Sequence, residues 1–246
     1  MTTNKTGERA AIFDFDGTLV DSYAPRKSAQ MKVSELLLAR LKLQGRESER
    51  LSMAEIIAGI EKQSHKKKGY DRNLWWREAL RQYAGKNVRV SESILSDASD
   101  LHWEVVMKGT ELFPGVKSML QALKVEGIKL GLISDTDGIK GLKAKRIEMS
   151  GLSPNFDAIV VAGEDTSDVK PSMQPFSMAC RLLKVPPENS VFIGDDPETD
   201  ISGPQQLGIR VIIIRSRFTM RKDDIQGAQL VERENLLRGI MDAIEK

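Results

Sequence analysis

Asp14 and Asp16 are two carboxylates spaced by a single residue, with Gly17 directly behind them. The apolar run Ala11-Ile12-Phe13 precedes them and is rich in β-favouring residues, so it reads as a strand buried on both faces. A strand that ends in Asp-x-Asp carries both acids to its carboxyl end, where open α/β sheets hold ligands. Gly17 lets the chain turn sharply away from that end. Two acids this close repel each other, so the arrangement calls for a bound cation or a shared proton. A calcium loop of the EF-hand type is excluded by counting from Asp14. The glycine falls at position four rather than six, and position twelve is Pro25 rather than an acid.

Three further stretches carry reactive groups at the ends of apolar runs. Leu132-Ile133-Ser134-Asp135-Thr136 ends a strand in hydroxyls, which can hold a phosphate oxygen ahead of an anion-favouring helix N-terminus. The alternative is that Ser134 or Thr136 only caps that helix. Asp168-Val169-Lys170-Pro171 follows another strand. A surface position is the default for one lysine among 37 basic residues, but proline at a helix start would fix Lys170 at the sheet's carboxyl end. Val191-Phe192-Ile193-Gly194-Asp195 again ends an apolar strand in an acid, with Asp196 beside it and Asp200 five residues on. Hard oxygen donors without clustered histidines favour Mg²⁺ over zinc or a softer metal.

These blocks, in this order, resemble the four motifs of the haloacid dehalogenase (HAD) superfamily. Asp14-Phe15-Asp16-Gly17-Thr18-Leu19 is similar to the Asp-x-Asp-Gly-Thr-Leu of its phosphatases. The resemblance implies that Asp14 attacks phosphorus and Asp16 acts as general acid and base. It implies that Ser134 and Asp135 bind the phosphoryl group, and that Lys170 neutralises both phosphate and nucleophile. Mg²⁺ would be held by Asp14, the Asp16 backbone carbonyl and Asp195, with Asp200 supporting from behind. Asp135 stands where this subfamily often has Asn, and Asp196 where Ser or Thr is commoner, so Asp196 could compete as a ligand. Dehalogenases of the superfamily need neither the second Asp nor magnesium, which argues against that chemistry. A phosphomutase of the β-phosphoglucomutase type shares the same motifs, and a non-catalytic binding protein on the same scaffold is a further alternative.

The elements that must position these groups alternate between strand and helix. Strands are expected at about Ala11–Asp14, Lys129–Ser134, Ala158–Val161, Val191–Gly194 and Arg210–Ile214, giving a five-stranded parallel sheet in an α/β Rossmann-type core. Helices are expected at Val116–Lys124, Ile139–Met149, Met173–Leu183, Ile201–Leu207 and Leu236–Ile244. From Tyr23 to Lys108 strands vanish and helical periodicity takes over. One long helix carries Met31 to Leu43. A second spans Leu51–Gln63, with Ser52 as cap and Glu55 three residues on, and two more follow at Asn73–Tyr83 and Ser91–Met107. This all-helical insertion resembles the C1-type cap of phosphoglycolate phosphatase-like members. The reading divides the chain into a core of residues 1–22 and 109–246 and a cap of residues 23–108. The resemblance gives the cap the tasks of closing over the substrate and setting specificity.

Size and composition limit the remaining classes. A chain of 246 residues can bury a substantial core. A formal charge of +2 gives no sign of a nucleic-acid binder. The helical stretch holds 17 basic against 11 acidic residues, partly through Lys66-Lys67-Lys68. That excess suits either an anionic substrate or an ordinary solvated face. The lone Cys180 lies in an apolar helical pattern, which fits a packed thiol in a reducing compartment. The opening residues are polar and no apolar run is long enough to cross a bilayer, so the expectation is a cytoplasmic protein without a membrane partner. The expected partner is a small phosphomonoester, and the expected state is a monomer or homodimer. Trp75 and Trp76 are expected to split between core and surface, while His65 and His102 show no partner pattern.

Overall fold

The computed structural model describes residues 8–43, 47–66, 69–216, 218, 219 and 225–245. The polar tail at 1–7, Lys67, Lys68 and the side chains of His65 and Lys66 lie outside the described residues. The described residues fall into two compact units. One lies within Met1–Asp21, Glu111–Thr136 and Lys140–Lys246, the other within Ser22–Thr110 and Asp137–Ile139.

The first unit is built on a parallel sheet of six strands. In chain order these are β1 (Ala10–Phe13), β4 (Lys129–Asp135), β5 (Ala158–Ala162), β6 (Ser190–Gly194), β7 (Arg210–Ile214) and β8 (Gln229–Val231). Their order across the sheet is β5-β4-β1-β6-β7-β8. The sixth strand corrects the expected five. β8 has three residues at the sheet edge, only Val231 of them buried, so it shows neither an apolar run nor a clear alternation. A two-residue antiparallel pair, β2 (Val20–Asp21) with β3 (Glu111–Leu112), joins the chain just before and just after the helical stretch.

β1 lies at the centre, and all four of its residues are buried. Side chains alternate across a strand, so β1 feeds two apolar layers. Ala11 and Phe13 pack with Leu130, Leu132, Val191 and Ile193 on one face. There they meet α5 (Val116–Val125) and α10 (Leu236–Ile244) through Leu120, Leu123 and Ile240. Ala10 and Ile12 face Phe192 and the Phe176, Ala179 and Leu183 side chains of α7 (Met173–Leu183) on the other. Burial on both faces is why these strands read as continuous apolar runs. Phe13 is in register with Leu132 on β4 and Ile193 on β6, so the residues following all three strands come out at one edge.

Two expected helix starts move in this unit. α6 runs Leu142–Met149 rather than from Ile139, because Gly141 at φ 80° stands in the left-handed region just before it. Neither Ser134 nor Thr136 caps it, and the Thr136 hydroxyl donates instead to Glu164 at 2.8 Å. The expected helix at Ile201–Leu207 is preceded by a further turn, giving α8 (Pro197–Asp200) and α9 (Ser202–Gln206).

The second unit packs α1 (Tyr23–Arg40), α2 (Glu47–Lys66), α3 (Arg72–Ala84) and α4 (Glu92–Gly109) around Leu37, Leu38, Met53, Ile57, Trp76 and Leu95. Ser52 lies inside α2 and is not its N-cap, since the helix-favouring residues upstream carry the helix back to Glu47. The caps at Asp71 and Ser91 do accept from Asn73 and Ile94 amides. Trp75 and Trp76 are both buried rather than split, because α3 packs on α2 and α4 at once. His102 is buried between the Trp76 and Trp103 rings, at centroid distances of 5.6 and 5.0 Å. No helix among the described residues is long and apolar enough to cross a membrane.

Candidate active site

Asp14 follows β1 directly, and its amide donates to the Ile193 carbonyl at 2.8 Å, extending the strand pairing by one residue. Asp14 is 5% exposed. Lys170 comes to it from the loop before α7, and its Nζ donates at 2.7 Å to Asp14 Oδ1 and at 2.7 Å to Asp200 Oδ1. Proline at a helix start does not place this lysine. α7 begins only at Met173, with Ser172 as its cap. The Lys170 amide instead donates to Asp135 Oδ1 at 3.0 Å, so the acid ending β4 holds the lysine-bearing loop.

Asp195 follows β6 and is 1% exposed. Asp200 organises this corner from α8. Its Oδ2 accepts from the Asp195 and Asp196 amides at 3.1 Å each, and its Oδ1 accepts from Thr199 Oγ1 at 3.0 Å as well as from Lys170. Gly194 makes this approach possible, since a Cβ there would lie 2.1 Å from Asp200 Oδ2. Asp196 turns away from the cluster, and its side chain caps α8 by accepting from the Glu198 amide at 3.0 Å. Ser134 is buried at the end of β4 beside Asp135.

Among the described residues, Asp14, Asp195 and Asp200 offer carboxylate oxygens within 4.8 Å of one another, all three buried. Burial pushes the Asp14 carboxyl up to about 7. Lys170 pulls the other way, and Asp200 and Asp16 add to the rise. Asp195 is raised well above the usual carboxylate range by burial and then by Asp14, Asp200 and Asp196. Burial alone would lower Lys170, but Asp14, Asp200 and Asp135 outweigh it and hold the ammonium well above its usual value. Buried acids gathered around one ammonium, with hard oxygen donors, fit a divalent cation such as Mg²⁺.

The structure separates the two acids of the first motif. The Asp16 carboxylate does not join the Asp14, Asp195 and Asp200 cluster but pairs with Lys143 and Arg146 of α6. The Asp16 carboxylate is therefore not among the acids placed to share a cation with Asp14. Lys143, Arg146 and Arg233 are the site-adjacent residues that sequence reasoning misses. A basic i,i+3 pair on a helix ordinarily marks a solvated face, and no motif contains Arg233.

A profile described as haloacid dehalogenase-like hydrolase matches residues 8–208. The chain is 28% identical over 214 residues to human N-acylneuraminate-9-phosphatase, covering 83% of this chain and 81% of that one. It is 31% identical over 217 residues to the phosphoglycolate phosphatase of Salmonella typhimurium, with 81% and 78% covered. Among solved structures, a HAD phosphatase from Thermococcus onnurineus has the same fold, with a TM-score of 0.64 at 20% identity over 96% of this chain and 98% of that one. A match over residues 8–208, carrying the acids at the ends of β1 and β6, places this chain in the haloacid dehalogenase-like hydrolase family.

Proposed function

We propose that this hydrolase is a Mg²⁺-dependent phosphatase of small organic phosphomonoesters, working through an aspartyl-phosphate on Asp14. The observation that carries the reading is the buried Asp14–Lys170–Asp200 network, joined at one sheet edge by Asp195. The names of the relatives support a phosphomonoester as the substrate class.

In the first step an Asp14 carboxylate oxygen attacks phosphorus in line, and the ester oxygen leaves with its bonding electron pair and takes a proton from Asp16. In the second step Asp16 removes a proton from water, the water attacks the phosphoryl group, and Asp14 is released with inorganic phosphate. The Lys170 ammonium offsets the charge of nucleophile and phosphate as they approach. The Ser134 hydroxyl and the backbone at Asp135 hold phosphoryl oxygens, while the Asp135 side chain keeps the Lys170 loop in place. Asp14, Asp195 and the Asp16 carbonyl would hold Mg²⁺, which supplies further charge neutralisation. This division of labour is mostly positioning and electrostatics, as phosphoryl transfer requires. The buried free thiol Cys180 fits a reducing compartment, and the reading places the enzyme in the cytoplasm.

The test is phosphate release from p-nitrophenyl phosphate and a panel including phosphoglycolate and sugar phosphates. Wild type is compared with Asp14→Asn, in Mg²⁺ and in excess EDTA. Mg²⁺-dependent release that disappears in Asp14→Asn is the expected result. Conversion of a sugar 1-phosphate to its 6-phosphate without phosphate release would overturn it in favour of a mutase.

A further inference from the structure

The chain that leaves β4 makes a short arch, Thr136–Gly141, before α6 begins. Both feet of the arch stand on one side chain. Glu164 Oε1 accepts from the Thr136 hydroxyl at 2.8 Å, and its Oε2 accepts from the Gly141 amide at 2.7 Å. The Thr136 amide donates to the Ala162 carbonyl at 2.8 Å, which ties the same foot to β5. The crown of the arch, Asp137–Ile139, belongs instead to the helical unit. Arg72 Nη1 donates to the Asp137 carbonyl at 3.0 Å. Gly138 follows at φ 85°, and a Cβ there would lie 2.3 Å from the Tyr70 carbonyl oxygen, so backbone packs directly on backbone. Arg72 is itself firmly held. It is 5% exposed, its guanidinium lies 4.6 and 4.0 Å from the centroids of the Trp75 and Trp103 rings, and Glu61 is 4.0 Å from Nη2. Beside it, Asp71 caps α3 by accepting from the Asn73 amide, and Trp75 Nε1 donates to the Gly69 carbonyl at 3.1 Å.

The geometry points to Arg72 as a positioning residue that ties the arch to the helical unit and so fixes the backbone following Ser134 and Asp135, where the phosphoryl group is seated. The inference rests on the reading of Ser134 and the Asp135 backbone as that seat. A single peptide bond separates the residue on the Glu164 foot from the residue held by Arg72, so few soft dihedrals can absorb a shift of the crown. Phosphate held at the end of β4 and order in the helical unit therefore support each other, and linkage makes the effect reciprocal. Arg72 acts through the Asp137 carbonyl, on phosphate bound in the ground state and in the transition state alike. Its loss should therefore raise KM and leave kcat nearly unchanged.

The experiment measures turnover of p-nitrophenyl phosphate, inhibition by inorganic phosphate, and amide hydrogen exchange with and without inorganic phosphate, all at saturating Mg²⁺. Wild type is compared with Arg72→Met, Gly138→Ala and Glu164→Ala. In each variant KM and the inhibition constant are expected to rise about tenfold, with kcat within about threefold of wild type. In wild type, saturating phosphate should slow amide exchange along α3, and each variant should lose that effect. Arg72→Lys keeps a donor and should recover part of the loss. Glu164 is only half-buried, so Glu164→Ala keeps the question open to test if Arg72→Met does not fold. Unchanged KM and inhibition constants in the folded variants, a fall in kcat and Tm alone, or wild-type exchange in α3 that ignores phosphate would overturn the role of Arg72. A wild type that hydrolyses no phosphomonoester would overturn the phosphatase reading alone, since the exchange measurement needs phosphate binding and not turnover.

Discussion

The Lys170 ammonium donates to the Asp14 carboxylate at 2.7 Å, although 156 residues of sequence separate the two. The same nitrogen binds Asp200, so removing it strips two buried carboxylates of their common partner. Lys170→Met should lower unfolding free energy by about 3–5 kcal/mol, as expected when one member of a buried ion pair is lost. It should also abolish phosphate release. Urea unfolding and a phosphate assay on one preparation check both. A stable, active Lys170→Met protein would show that the network is dispensable.

The raised carboxyl of Asp14 gives stability a definite pH dependence. Its folded value of about 7 lies above the ordinary 3.8, so the folded state holds this proton more tightly than the unfolded chain does. The contribution is fully present below about pH 4 and is lost as pH rises through about 7. In EDTA at pH 8, Asp14→Asn should therefore melt higher than wild type, by roughly 5 °C, and the gap should narrow on acidification. Thermal melts of the two proteins across pH 4–8 decide it.

Mg²⁺ should act on the same cluster from the other direction. A cation bound only by the folded state adds about 2.7 kcal/mol when it is present at a hundred times its dissociation constant. A Mg²⁺-induced rise in Tm is expected for wild type at pH 8, and Asp195→Asn should remove most of it. An unchanged response in Asp195→Asn would take Asp195 out of the metal site.

Gly194→Ala tests how closely the end of β6 must approach Asp200. The added carbon would lie 2.1 Å from Asp200 Oδ2, the atom that accepts from the Asp195 and Asp196 amides. Overpacking of this kind costs about 1–3 kcal/mol. Displacing Asp200 also loosens Lys170, so kcat should fall at least about a hundredfold while far-ultraviolet circular dichroism stays unchanged. Wild-type turnover in this variant would show that Asp200 can shift without consequence.

The sequence made the centre of the core legible and left its margins dark. β1, β4 and β6 are buried on both faces, so they appear as apolar runs, and the acids at the ends of β1 and β6 stand out against them. β8 could not be seen, because three edge residues, of which only Val231 is buried, carry no period. Ser52 and Glu55 have the spacing of a helix start but lie within α2, where local propensity prevails over a short motif. The partners of Asp16 were hidden for another reason. Lys143 and Arg146 lie 127 and 130 positions downstream, on a helix whose charge pattern is that of any exposed face until the fold buries it.

The central place of β1 has a kinetic consequence. This strand is made first, yet both of its neighbours, β4 and β6, lie more than a hundred residues downstream, beyond the whole helical stretch. Loop closure over such separations is slow, whereas the contacts of α1 to α4 are comparatively local. The helical unit can therefore acquire protected amides while Ala10–Phe13 is still unpaired, an apolar segment exposed to aggregation until β4 and β6 pair with it. Pulse-labelled hydrogen exchange during refolding should find the amides of α1 and α4 slow to exchange before those of β1. Simultaneous protection would mean that the sheet nucleates as early as the helices.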